Sequence, residues 1–195
     1  GTMTYRKQND PETAKEARVT YQNDLELYEK NKSTYEREME NLRTDIANQQ
    51  EYLDHSIWIN MSPYDVCEAR ADLFVSTGYQ IMPGMEYQNR DNTDTILQAY
   101  QSLLTSSAVL EDVAKQVKTE PRYLEELVEV TIGANQDGQL NRMLTIDVKH
   151  TTKEDAEEVL GAFLAHVDDM HDRIATSIGE HTVSIVNESV SALVN

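Results

Sequence analysis

Apolar positions recur with a heptad spacing along the first third of the chain. They are Tyr21, Leu25, Tyr28, Tyr35, Met39, Leu42, Ile46 and Leu53, and Lys32 and Gln49 fill the two remaining positions of the repeat. We call these ten positions the seam. Intervals of four and three residues alternate along it, which is the 3.5-residue period of a coiled coil. Because no Gly or Pro interrupts residues 12–62, the pattern predicts a long N-terminal coiled-coil helix that begins near Pro11 and ends near His55.

The seam is narrow, and the other five positions of each heptad are almost wholly polar or charged. Such a stripe suits one slender partner helix, within the chain or between chains, better than a broad core. The alternative is a helix that packs on its own domain. The seam itself does not identify the partner.

The remaining two-thirds of the chain predict strands and helices in the order β-α-β-β-α-β. Strict alternation of apolar and polar residues indicates four strands, which cover residues 67–75, 128–132, 144–148 and 182–186. Thr93 is the expected cap of the first helix, which kinks at residues 105–107 and continues to Val117. We expect Thr119 to cap a short helical turn. Thr152 is expected to cap the last helix, which ends at Gly179.

Residues 76–92 are expected to form a long loop, and Asn135–Gly138 a turn between the second and third strands. This order of elements is that of a ferredoxin-like βαββαβ sandwich, an α+β fold with both helices on one face of a four-stranded sheet. The other face is then open to solvent, the coil or a neighbouring subunit. The expected domains are a coiled-coil helix, residues 1–55, and an α+β domain, residues 56–195.

Charge narrows the possible partners. The 195 residues include 35 acidic and 17 basic side chains, for a net charge of −18. Phosphates would be repelled, which argues against nucleic acid and against an anionic membrane surface as partners. The chain contains no apolar run approaching the ~20 residues that span a bilayer. Its single cysteine, Cys67, cannot form an internal disulfide.

Few residues are candidates for chemistry. The sequence lacks the common nucleotide-binding, hydrolase, zinc-protease and paired-cysteine motifs. Cys67 reads as an inward residue of a strand, where a thiol is usually an inert small hydrophobe. His55, His150 and His181 fall at the ends of elements and give no signal. We therefore expect no catalytic residue and no cofactor site, and the chain is predicted not to be an enzyme.

A metal site is the alternative for the run His166-Val-Asp-Asp-Met-His-Asp172. His166 and Asp169 share one helix face, whereas Asp168, His171 and Asp172 share another. The two histidines are separated by roughly 140° around the helix axis, which is poor zinc geometry. A solvated acidic face is the simpler reading, and no metal ligand is expected.

Four segments resemble motifs of the Wzz-type chain-length determinants, also called polysaccharide co-polymerases. Residues 64–75 (YDVCEARADLFV) resemble the first strand of that family, and residues 104–115 (LTSSAVLEDVAK) are similar to its L-x-S-x-x-V-L-x-x-V-A helix. Residues 144–156 (LTIDVKHTTKEDA) resemble its strand-to-helix passage, with Lys153-Glu154 in place of the common Asp-Pro. Residues 181–186 (HTVSIV) resemble its closing strand. The long N-terminal helix resembles Gram-positive versions of the family.

The resemblance implies a non-enzymatic domain on the extracytoplasmic face of the cytoplasmic membrane, attached through transmembrane segments absent from this chain. Such proteins regulate the chain length of capsule, exopolysaccharide or lipopolysaccharide. It implies a homo-oligomer that works with the polysaccharide polymerase complex, and leaves open a direct contact with nascent polysaccharide and a tyrosine kinase partner. The alternative is a structural or adhesive coiled-coil module with an α+β head that binds a protein partner. An enzyme acting on carbohydrate or dependent on a metal is a third alternative, without a convergent polar site in the sequence to support it.

Overall fold

The computed structural model describes residues 11–78, 92–134 and 140–193, and at residues 134 and 140–142 it describes the backbone alone. The chain divides into two compact units at the boundary between Asp54 and His55. We call the second unit the head. Most of the predicted 76–92 loop and the predicted Asn135–Gly138 turn lie outside the described residues.

The described part of the first unit is one continuous helix, α1, which spans Pro11–His55 and so ends one residue beyond the boundary. Its 45 residues include none that is buried. The seam side chains are exposed apart from the half-buried Met39, and Tyr21 is 68%, Leu42 52% and Ile46 57% exposed. The predicted helix and its end at His55 are confirmed, whereas the pairing of the seam stays a prediction.

The head contains four strands and five further helices among its described residues. In chain order these are α2 (Ile57–Asn60), β1 (Cys67–Ser76), α3 (Thr93–Leu104), α4 (Ser107–Gln116), α5 (Pro121–Glu125), β2 (Val128–Ala134), β3 (Leu140–His150), α6 (Lys153–Ser177) and β4 (Thr182–Ala192). The strands form one sheet of order β2-β3-β1-β4, in which all neighbours are antiparallel. The head is therefore an α+β unit with a four-stranded antiparallel sheet.

One face of the sheet forms the core of the head. Alternate residues of β1 point into this core, as predicted, and Ala69, Ala71, Leu73 and Val75 are at most 1% exposed. Ile146 of β3 lies opposite Ala71 and shares this face. The buried faces of α3, α4 and α6 cover it, and the largest buried side chains of these helices are Tyr100, Phe163, Ile96, Leu97, Leu104 and Leu160.

The predicted kinked helix is two separate helices. α3 ends at Leu104 and α4 begins at Ser107, because the Ser106 hydroxyl accepts a hydrogen bond from the Val109 amide at 3.5 Å and starts a new helix. The predicted cap at Thr93 is wrong, since Thr93 is the first residue of α3 and is only 1% exposed. The N-cap is Asn92, which makes no side-chain cap hydrogen bond.

Thr119 is also not a cap, since α5 has Glu120 at its N-cap and Pro121 in its first turn. Instead, the Thr119 amide donates to the Ala114 carbonyl at 2.9 Å, with Lys118 at a φ of 62°. This is the Schellman arrangement that closes a helix C-terminus, here α4. The sequence does not predict this turn, because Lys118 occupies the left-handed position where glycine is the usual residue.

The last helix begins as predicted: the Thr152 hydroxyl accepts from the Asp155 amide at 3.1 Å. Gly179 follows the C-cap Ile178, also as predicted. A Cβ at Gly179 would lie 3.3 Å from Nδ2 of Asn92, whose amide donates to the Ile178 carbonyl at 3.5 Å. The absence of a side chain at Gly179 therefore leaves room for Asn92, which caps the C-terminal end of α6.

The closing strand is longer than predicted. β4 runs over 11 residues, Thr182–Ala192, and pairs with β1 as far as Cys67 opposite Ala192. A register shift opposite Asp72 and Leu73 breaks the alternation of β4. The polar residues after Val186 therefore gave no strand signal, although β1 supplies their backbone hydrogen bonds.

Candidate functional site

A buried Tyr–His pair is the most enclosed polar contact of the described head. Tyr100 of α3 is 1% exposed and His181, just before β4, is 5% exposed. His181 Nδ1 lies 2.9 Å from the Gly179 carbonyl, which can only accept, so this nitrogen carries the hydrogen. His181 Nε2 is then the acceptor for the Tyr100 hydroxyl. The pair joins the core helix α3 to the start of the edge strand β4.

His171 of α6 extends this pair toward the surface. Its ring lies 4.5 Å from the His181 ring, centroid to centroid. Nε2 donates to the His181 carbonyl at 2.8 Å, and Nδ1 faces Oδ1 of Asp172 at 3.0 Å. The hydrogen bond to the His181 carbonyl raises the pKa of His171 above its usual value, and Asp172 raises it further. Because both ring nitrogens face acceptors, the charged imidazolium is the form that this site favours.

The hydrogen bonds of Tyr100, His171 and His181 connect elements of the head. Burial, followed by the charges of Asp168 and Asp172, raises the pKa of Tyr100 to about 12. A tyrosine held protonated at neutral pH is a hydrogen-bond donor and a poor nucleophile or base. With both nitrogens of His181 engaged as well, the cluster ties α3, α6 and β4 together.

The two histidines of the run 166–172 contact different residues, as their separation around the helix axis predicts. His166 does not join His171, and its Nε2 lies 2.8 Å from Oδ2 of Asp112, which links α6 to α4. Among the residues that the structure describes, no group of three His, Cys, Asp or Glu side chains is placed to hold a metal ion.

Cys67 lies next to a histidine that is far from it in the sequence. The register of β1 and β3 places Cys67 directly opposite His150. The thiol is half-buried, and its sulfur lies 4.0 Å from the Asp65 carbonyl and 3.9 Å from the Thr151 carbonyl, with which it makes weak hydrogen bonds. His150 Nδ1 accepts from the Thr151 amide at 2.8 Å, and burial lowers the pKa of His150. The thiol therefore points its donor at backbone oxygens.

The open face of the sheet is charged. Opposite charges pair across β1 and β3, with Arg70 opposite Asp147 and Glu68 opposite Lys149. Burial, then a hydrogen bond and the charge of Glu68, raises the pKa of Asp147 to about 6. The protonated Asp147 carboxyl can then donate a hydrogen bond to Glu68.

Asp72 connects the strands on this face through hydrogen bonds. Its carboxylate accepts from the Thr145 hydroxyl of β3 at 2.7 Å and from the Asn187 amide of β4 at 3.2 Å. Burial alone would raise the pKa of Asp72, but these hydrogen bonds and the charge of Arg70 outweigh burial and lower it. One ionised side chain thus connects three strands at the position where β4 shifts register.

The sequence predicted none of these polar contacts. In the sequence, Tyr100 falls on an apolar helical stripe with Ile96, Leu97, Leu103 and Leu104, and His181 falls at the end of an element. A tyrosine within a fully buried stripe is the one signal that could have been used, because a buried hydroxyl needs a partner. His181, 81 positions further along the chain, carries no matching signal.

Comparison with protein-family models finds none that matches this chain, and comparison with curated protein sequences finds no match either. In the described part of the chain, no helix is long and apolar enough to cross a membrane.

Proposed function

We propose that this chain is a non-enzymatic extracytoplasmic domain of the Wzz type, which regulates the chain length of a surface polysaccharide. The observation that carries the proposal is the packing of the four motif segments. Residues 64–75 lead into and form most of β1. On one side β1 pairs with β3, which contains residues 144–150 of the third segment, and on the other with β4, which contains residues 182–186 of the fourth. Residues 104–115 provide α4, whose Val113 is buried in the same core.

We also assign the head to the ferredoxin-like class. Three features support this assignment: the strand order β2-β3-β1-β4, the antiparallel pairing of all neighbours, and helices α3 and α6 in the connections from β1 to β2 and from β3 to β4. In a βαββαβ chain, two crossovers of the same hand generate this order and leave one sheet face open.

In the proposed role, the head assembles into a homo-oligomer beside the polymerase complex at the outer face of the cytoplasmic membrane. Two surfaces are available for these contacts: the charged open face of the sheet, and β4, an edge strand with exposed Ile185 and Val186. The buried histidine His181 has a structural task in this role. Control of length then arises from assembly, without a bond being made or broken by this chain.

A structural or adhesive module that binds a protein partner is the second candidate. The observation that favours it is the exposed seam of α1, which has no buried residue. Such a module would act through its partner and leave polymer length unchanged.

Deletion of the gene in its native host tests both candidates. We expect the surface polysaccharide to be made in similar total amount but with an altered length distribution, resolved by gel electrophoresis, and the wild-type gene to restore it. Loss of all polymer would indicate an enzyme of synthesis. An unchanged length distribution would reject the proposed role and leave the binding module.

A further inference from the structure

The residues that flank the seam determine which helix α1 can pair with. Each heptad contains two seam residues that are three positions apart. The position just before the first of them and the position just after the second lie beside the interface and meet the partner. We call these two rows of positions the borders. Between residues 21 and 50, the charged flanking residues are Asp24, Glu29, Glu36, Glu38, Asp45 and Arg43. All are exposed. The seam therefore runs between two acidic borders with a single basic residue.

A second copy of α1 fits this surface poorly in parallel orientation. Asp24 of one copy would face Glu29 of the other, and only Glu38 opposite Arg43 would attract. Lys32 occupies the seam itself, so two lysines would meet at the centre of the interface. Like charges in such positions destabilise a pair of helices.

The antiparallel orientation removes the contact between the two lysines but keeps most of the repulsion. The borders that precede the first seam position would then face each other, and their charged residues, Asp24, Glu38 and Asp45, are all acidic. In the facing pair of the other borders, Arg43 is the single basic residue against Glu29 and Glu36. None of the other helices that the structure describes has more basic than acidic residues, and α6, the longest of them, has seven acidic residues and two basic ones.

We propose that the seam of α1 binds an amphipathic helix whose apolar stripe is flanked by lysine or arginine. Opposite charges along both borders would favour this partner over a second copy and would fix its register. Lys32 in the seam favours a polar or acidic partner residue at that layer. The inference does not depend on the proposed polysaccharide role.

Two designed helical peptides provide the test. Both carry Ile and Leu at the seam positions; one has Lys at all flanking positions and the other has Glu. The 195-residue chain is titrated with each peptide, and binding is followed by fluorescence anisotropy at several salt concentrations. We expect the Lys-flanked peptide to bind at least about tenfold more tightly than the Glu-flanked peptide, with an advantage that shrinks as salt rises.

A matched pair of variants locates the binding surface. The double variant Glu29→Lys/Glu36→Lys reverses two border charges, and we expect it to bind the Lys-flanked peptide about tenfold more weakly. The double variant Glu26→Lys/Glu40→Lys makes the same change in net charge away from the borders, and its affinity should stay within about twofold of wild type. Circular dichroism confirms that α1 stays helical in both variants.

Self-pairing is tested without peptide. A spin label is attached at Thr44→Cys in a Cys67→Ala background, outside the seam and its borders, and distances between copies are measured by pulsed electron resonance. We expect no short distance between α1 helices. Close pairing of α1 between copies, equal binding of both peptides, or equal effects of the two double variants would each overturn the proposal.

Discussion

The helix α1 and the head of the same chain obtain their structure in different ways. α1 has 45 residues and buries none of them. The head forms one continuous core in which Phe163, Ile96 and Ile146 are 0% exposed. A helix of this length can persist through local propensity and hydrogen bonds between residues one turn apart, whereas the sheet requires contacts between distant residues. The comparison teaches that a regular sequence pattern and a packed structure are separate properties.

The largest expected difference is in the cost of losing an apolar side chain. Phe163→Ala should lower the free energy of unfolding of the head by about 3–5 kcal/mol, because it leaves a cavity in the core. Leu42→Ala, at a seam position 52% exposed, should change it by less than about 0.5 kcal/mol. Urea denaturation followed by the fluorescence of Trp58, the single tryptophan, measures both. Equal effects would mean that the two regions are not organised differently.

Removal of one buried hydroxyl is expected to have the next largest effect. Tyr100→Phe leaves the ring nitrogen of buried His181 without its donor, which should cost the head about 1–3 kcal/mol. Tyr64→Phe is the control, because Tyr64 is 83% exposed. Thermal denaturation compares the two variants. A Tyr100→Phe head as stable as the control would show that water or rearrangement satisfies His181.

The charged sheet face should make the stability of the head depend on pH. Asp147 has a folded-state pKa raised from 3.8 to about 6, so in this range the folded head binds more protons than the unfolded chain. Its stability therefore falls as pH rises from about 4 to about 6. Asp147→Asn removes this penalty and should stabilise the head at pH 7 by about 1 kcal/mol, since water screens the half-exposed carboxylate.

Urea denaturation at several pH values checks this expectation, and the advantage of Asp147→Asn should vanish near pH 4. Glu157→Gln, on an exposed face of α6, removes the same charge elsewhere and should retain the wild-type pH profile. A wild-type profile for Asp147→Asn would contradict the raised pKa of Asp147.

The smallest effect separates helix propensity from packing. Gly161→Ala in α6 should stabilise the head by about 0.5–1 kcal/mol, because a Cβ there meets no atom within 4 Å. Ala47→Gly in α1 should reduce ellipticity at 222 nm with no change in the unfolding transition of the head. Thermal melts followed by both signals test the pair of variants. A head destabilised by Ala47→Gly would show that α1 and the head unfold together.

Local patterns predicted the elements well and their ends less well. Alternation located β1, and the hydroxyl of Thr152 caps α6 as predicted. Thr93 and Thr119 were equally plausible caps, but a buried position and a Schellman turn at Lys118 exclude them. Capping residues recur in many contexts, so their side chains alone do not define a helix end. β4 extends beyond the apolar residues that predicted it, because β1 supplies the backbone hydrogen bonds of its polar half.

Sequence alone determined the period of each segment, and therefore the long helix, the four strands, the acidic seam borders and the absence of a recognisable catalytic motif. Tertiary structure decided which side chains meet. The hydrogen bond between Tyr100 and His181, the position of Cys67 opposite His150 and the contact of Asp147 with Glu68 depend on strand register and on how helices cross the sheet. These geometries arise from the packing of the whole core, since a side chain's periodicity reports the face it occupies and carries no information about the distant residue opposite it.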